Sequence, residues 1–173
     1  MTDYTVLEEQ ENKNKKPTTF LIILAVLSLL NMAFSFFGTI ASFFSGPFSE
    51  DEMEAQNADI YESISLLQDQ GMNGFAKTLE KIMLYADYIN SEAFVISNVT
   101  SLLVSIIGII AVVLMLKLKK IGFHLYVAYS LLPILLMYVI APAEFITTIV
   151  VVTSLIVSGI FCLLYGLNLK HMK

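Results

Sequence analysis

Four long apolar stretches, at about 20–44, 93–116, 121–141 and 143–167, constrain this chain more than any other feature. Apart from Glu144 near the start of the fourth, none contains a lysine, aspartate or glutamate. Each meets the roughly 20 apolar residues needed to cross a hydrocarbon core about 30 Å thick. As a helix the first would reach about 37 Å, enough to span with some tilt. Lipid offers backbone N–H and C=O groups no partner, so such runs cross as α-helices. The expected fold is all-α and polytopic: four transmembrane helices in an antiparallel bundle, with a short helical extramembrane hairpin between the first two. Composition agrees, with 57% hydrophobic and only 14% charged residues, where a soluble domain is about half apolar and a quarter charged. An ordinary soluble enzyme and a disordered chain are both excluded.

The charges give an orientation. All ten basic residues are lysines. Lys13, Lys15 and Lys16 precede the first span, Lys117, Lys119 and Lys120 fill the turn between the second and third, and Lys170 and Lys173 close the chain. The connector 49–92 instead carries ten acids against Lys77 and Lys81, a net charge of −8. The positive-inside rule then puts both termini in the cytoplasm and the acidic connector outside. Phe123, Tyr126 and Tyr165 fall near the cytoplasmic interface, and Phe43, Phe44, Phe94, Tyr138 and Phe145 near the outer one. The first apolar run is longer than the 7–15 residues of a signal core, so it reads as an uncleaved anchor. A net charge of −5 argues against a nucleic-acid partner. Cys162 has no second cysteine to bridge.

Residues 1–17 read as a flexible cytoplasmic tail and 18–173 as the membrane domain. Within the connector, Ile60, Ile64 and Leu67 recur at helical spacing, then Phe75, Leu79, Ile82, Met83, Ala86 and Ile89. Gly71–Met72–Asn73–Gly74 separates the two helices, and the second either continues into span two or breaks at Asn90–Ser91. Ile64, Leu67, Phe75 and Leu79 are the expected partner surface, because a two-helix hairpin has little core of its own. Pro142 suits the first turn of the fourth span, with Glu144 near its positive dipole end.

Polar and small residues inside the spans mark contact faces. Ser28, Asn31, Ser35, Gly38 and Ser42 repeat at spacings of three and four, as do Asn98, Ser101, Ser105 and Gly108. Small residues let membrane helices approach closely, so the two stripes are expected to form a packing seam between spans one and two. Thr147, Ser154, Ser158, Cys162 and Tyr165 make a similar stripe on span four. Pro133 interrupts span three as a kink, since it has no N–H for the carbonyl of Tyr129.

No acid or lysine lies at mid-membrane, and no zinc motif, phosphate loop or nucleophile elbow is present, so neither cofactor nor metal nor catalytic residue is expected. His124 and His171 fall at the interface without ligand spacing. Asn98–Val99–Thr100 matches a glycosylation sequon but opens a membrane span. The string Lys119-Lys120-Ile121-Gly122-Phe123-His124-Leu125-Tyr126 resembles small uncharacterised four-span bacterial inner-membrane proteins. That resemblance implies a bacterial inner-membrane location and no established activity. The function expected is non-catalytic: an accessory, assembly or scaffolding subunit with the bilayer and a protein partner or further copies as its neighbours. The alternative is a small transporter or channel component working as an oligomer, with Asn31, Asn98, Tyr129 and Pro133 lining a water-accessible path.

Overall fold

Six α-helices account for most of the described residues. The computed structural model describes residues 16–172; the expected tail, 1–17, lies outside them except for Lys16 and Pro17. The helices are α1 (Thr19–Ser45), α2 (Glu50–Asp69), α3 (Asn73–Asn90), α4 (Phe94–Leu116), α5 (Lys120–Ile140) and α6 (Thr148–Gly166). Short 3₁₀ turns occupy Ala143–Phe145 and Leu169–His171, and no strand occurs among the described residues. Four of the helices, α1, α4, α5 and α6, are long and apolar enough to cross a membrane. Their outward faces carry large bare side chains, among them Phe34 at 78% and Phe44 at 85% exposure. Water would not tolerate so wide an apolar surface, and acyl chains would. This is the architecture of a multi-pass membrane protein.

Local chemistry sets the helix boundaries. Thr18 caps α1 by accepting from the N–H of Leu21 (3.1 Å). Ser49 and Glu52 form a reciprocal capping box at the start of α2. The Glu52 carboxylate accepts from the Ser49 N–H and hydroxyl (both 2.9 Å), which hold it below its usual range. Two helices end in the same double hydrogen bond. After α2, Gly71 takes the left-handed conformation (φ 74°), its N–H donates to Gln68, and that of Met72 donates to Leu67. After α4 the left-handed position belongs to Leu118 (φ 56°), with bonds from Leu118 to Met115 and from Lys119 to Leu114. A branched residue pays strain there, and Leu118 stays because its side chain is buried in the core.

Two expectations about boundaries are resolved. Helix α3 does not run into span two: it stops at Ser91, and α4 starts only at Phe94. The fourth span does not begin at 143. Pro142 leads into the 3₁₀ turn, and α6 starts at Thr148 because Thr147 supplies the cap, accepting from the Val150 N–H (3.4 Å).

Packing runs in a chain, α1 on α4, α4 on α5 and α5 on α6, with only a slight return of α6 to α1. The main core gathers Leu21, Leu24, Ala25 and Met32 of α1 with Ala111, Val112 and Met115 of α4, Leu118, Tyr126 of α5, and Tyr165 and Met172. All of these lie toward the lysine-rich end. A separate small core of Ile64, Ala76 and Met83, flanked by Ile60, Leu67 and Leu79, joins α2 to α3. The expected partner surface is therefore mostly spent: Ile64, Leu67 and Leu79 hold the connector together, and of the four only Phe75 faces outward. Helix α3 touches the bundle through Tyr88, whose ring lies 5.9 Å from that of Phe145.

Candidate functional site: a polar gap between α1, α5 and α6

The slight return of α6 to α1 is fixed by two side-chain bonds. The phenol of Tyr165, fully buried, donates to the hydroxyl of Ser28 (2.9 Å). Thr18 donates to Asn168 Oδ1 (2.8 Å), while Asn168 Nδ2 donates to the Leu164 carbonyl (3.2 Å). Aromatic rings back this clasp: Tyr126 sits 4.5 Å from Tyr165 and 5.6 Å from Tyr129, centroid to centroid. Beyond Ser28 no further side-chain hydrogen bond among the described residues ties the two helices, and between them lies a cavity of about 370 Å³.

The lining of that cavity is uncharged and mixed. Ser28 and Asn31 come from α1, Tyr126, Tyr129, Ser130 and Pro133 from α5, and Ser158 and Phe161 from α6. The Ser158 hydroxyl donates to the Ser130 carbonyl (3.2 Å), among the described residues the one side-chain hydrogen bond between α6 and α5. A second cavity, about 260 Å³, lies on the other side of the proline turn. Ser35, Ser97, Ser101, Ser105 and Tyr85 line it, and Tyr129 and Pro133 border both cavities. Burial pushes the Tyr85 phenol above its usual range, so it remains a neutral hydroxyl at the connector end. The two residues flanking the helix bond that Pro133 omits, Tyr129 and Pro133, thus belong to the wall that both cavities share.

The expected seam between spans one and two is only partly present. Asn98, Ser105 and Gly108 of α4 are buried, and Ser101 partly so. Gly108 makes the closest approach: an added Cβ would lie 2.7 Å from the Tyr129 ring and 2.9 Å from the Met32 methyl. On α1 the buried face is Leu21, Leu24, Ala25, Ser28 and Met32. Asn31, Ser35 and Gly38 are exposed, Ser42 is half-buried, and nothing lies within 4 Å of a Cβ added to Gly38. Of the α1 stripe, Ser28 and Asn31 line the first cavity, and Ser35 shares the second with Ser101 and Ser105 of α4. Asn98 turns inward upon its own helix, donating to the Phe94 carbonyl (2.8 Å), and borders neither cavity.

Sequence reasoning named Ser28 and Tyr165 on separate stripes without joining them, and it missed Thr18, Asn168, Ser130 and Gly122. Gly122 has the least room of the glycines: an added Cβ would meet the Met115 nitrogen at 2.6 Å and the Ala111 oxygen at 2.8 Å. A glycine just after a lysine turn was the available signal. Among the described residues, no three His, Cys, Asp or Glu side chains are grouped closely enough to hold a metal ion. His124 and His171 are both exposed. Comparison with protein families, with characterised proteins and with solved structures yields no match, so the reading rests on this geometry alone.

Proposed function

We propose that the chain is a non-catalytic subunit of a membrane complex, and that the gap between α1 and α6 receives a transmembrane helix of a partner protein. One observation carries this reading: α6 lies against α5 but returns only slightly to α1, and among the described residues the side-chain hydrogen bonds that join these two ends are Ser28–Tyr165 and Thr18–Asn168. The open side of that wedge is lined by the Asn31 carboxamide and the Tyr129 hydroxyl, which make no hydrogen bond among the described residues and for which acyl chains offer no partner. An entering helix satisfies them, and it packs against small residues where lipid packs poorly. The lysine distribution supports an antiparallel bundle with both termini cytoplasmic and the acidic hairpin outside, and the resemblance of the string Lys119–Tyr126 supports a bacterial inner membrane.

A second reading, passage of a small solute, is favoured by the two cavities having Tyr129 and Pro133 in common in their walls. Single cysteines at Asn31, Ser158 and the lipid-facing Leu163, in a Cys162→Ser background, separate the two. A partner helix predicts a defined cross-linked adduct in native membranes from the first two positions and none from Leu163→Cys. Rapid labelling of Asn31→Cys and Ser158→Cys by a charged, membrane-impermeant maleimide, with no adduct, would instead establish an aqueous path and overturn the subunit reading.

A further inference from the structure

Hydroxyls inside membrane helices can return a bond to the carbonyl four residues earlier, as Thr39 does to Ser35 (2.8 Å) and Thr100 to Ile96 (2.7 Å). On α4, Ser97, Ser101 and Ser105 do not. Spaced by four, they form a ladder on one helix face that rises about 6 Å per step, and all three line the second cavity, of about 260 Å³. Ser35, Tyr85 and Tyr129 bring three more hydroxyls to the same cavity. Ser35 and Ser97 enter hydrogen bonds only through their backbone carbonyls, and none of these hydroxyls is bonded among the described residues.

Ser105 carries the argument furthest. It is only 4% exposed, yet its hydroxyl has no partner among the described residues. Among those residues, no side-chain nitrogen or oxygen that is fully sealed lacks a partner, so the Ser105 oxygen is reached from the cavity that it lines. A buried hydroxyl at a cavity wall calls for a hydrogen-bonding group from outside the chain. The rest of the wall is apolar, from Val104 of α4 and Leu136, Met137 and Ile140 of α5. No carboxylate, lysine or histidine is among the lining residues.

We propose that this cavity binds a small uncharged polyol. Each wall hydroxyl both donates and accepts, and a ladder of them answers a ligand with hydroxyls along its length, not one with a single polar end. An ion would shed its hydration there and find no opposite charge. The apolar wall takes the C–H side of the ligand, which water alone would leave wetting Leu136 and Ile140. The cavity has room for roughly nine waters at about 30 Å³ each, and so for a polyol of about three or four carbons. The site lies across the proline turn from the α1–α6 gap, and it stands whether or not a partner helix enters that gap.

The test is saturation-transfer NMR of the purified full-length chain with glycerol, in a detergent whose headgroup carries no hydroxyl. Saturable transfer to glycerol is expected. On the same unmodified chain, 1,2-propanediol, which lacks one hydroxyl, binds about three- to tenfold more weakly, the scale of one hydrogen bond. Ser101→Ala with Ser105→Ala weakens glycerol binding about tenfold. Ser154→Ala, at a half-buried serine of α6 outside the cavity, leaves it unchanged. Thermal melting of the ligand-free Ser105→Ala chain reads the free hydroxyl directly: the melting temperature does not fall, because the lost group bonds nothing in the protein. Transfer that does not saturate marks a cavity holding water only and overturns the proposal. So do equal affinities for the two ligands, equal weakening by Ser154→Ala, unchanged affinity in the double-alanine chain, or a lowered melting temperature for Ser105→Ala.

Discussion

Three glycines separate pattern from contact at the level of single residues. Gly38 and Gly108 both sit in stripes of small polar residues, yet only Gly108 has a neighbour where a side chain would begin. A stripe records which residues share a helix face, and it carries no information about what lies across from that face. Gly122, outside both stripes, is pressed against the backbone of α4, which cannot move aside as the Met32 methyl or the Tyr129 ring can. Gly122→Ala is therefore expected to destabilise the bundle by about 1–3 kcal/mol, the usual cost of overpacking. Gly108→Ala should cost less than that, and Gly38→Ala should cost nothing. Thermal melting of the three variants in one detergent checks the order, and a Gly38 variant as damaged as Gly122→Ala would refute it.

Helix α6 is the least enclosed of the four long helices, with a single residue, Tyr165, fully inside. Its composition does not announce this, because a lipid-facing helix and a buried one are equally apolar. What fixes α6 against α1 is the pair of bonds near its C-terminal end, Tyr165 to Ser28 and Thr18 to Asn168. Tyr165→Phe removes one of them and leaves a buried hydroxyl on Ser28. A loss of roughly 0.5–1.5 kcal/mol is expected, with helix content unchanged because α6 still rests on α5. Disulfide trapping between cysteines at Leu27 and Val157, in a Cys162→Ser background, should change in yield as the wedge widens. An unaltered melting temperature and trapping yield would show that the clasp does not hold the helix. The start of α6 makes a related point: Pro142 and Glu144 signal a helix start, but Thr147 wins because its hydroxyl caps the next turn and the proline is absorbed in the 3₁₀ turn.

The whole molecule has two parts with different means of support. The membrane helices share a core concentrated at the lysine-rich end, and the acidic connector has its own small core around Ile64, Ala76 and Met83. If the lysine-rich end is cytoplasmic, a reporter active only outside the membrane works when fused at Gln70 and fails at Leu118 or after the C-terminus. The reverse pattern would invert the molecule, and activity at both Gln70 and the C-terminus would require an odd number of spans. The connector core also changes the reading of that segment. Ile64, Leu67 and Leu79, apolar and regularly spaced, find one another across the Gly71 turn instead of waiting for a partner. The closure of the connector beside them was invisible in sequence, because Phe48 and Asn90, 42 positions apart, exchange their reciprocal hydrogen bonds only when α2 folds back on α3.

The sequence by itself determined the four spans, the two connector helices and most of their limits. Each of these follows from transfer of a continuous apolar run to lipid, from helical periodicity, or from a cap within a few residues. Tertiary structure alone decided that α1 turns Met32 and Ser28 inward and leaves Asn31 facing a gap, that α6 closes at one end only, and that Gly122 rather than Gly38 sits at a close contact. The reason is physical. In lipid there is no hydrophobic force between helices, so an apolar or small-residue face is equally at home against acyl chains and against protein. Shape at a few glycines and single hydrogen bonds between residues more than a hundred positions apart then choose among arrangements that the sequence pattern leaves equivalent.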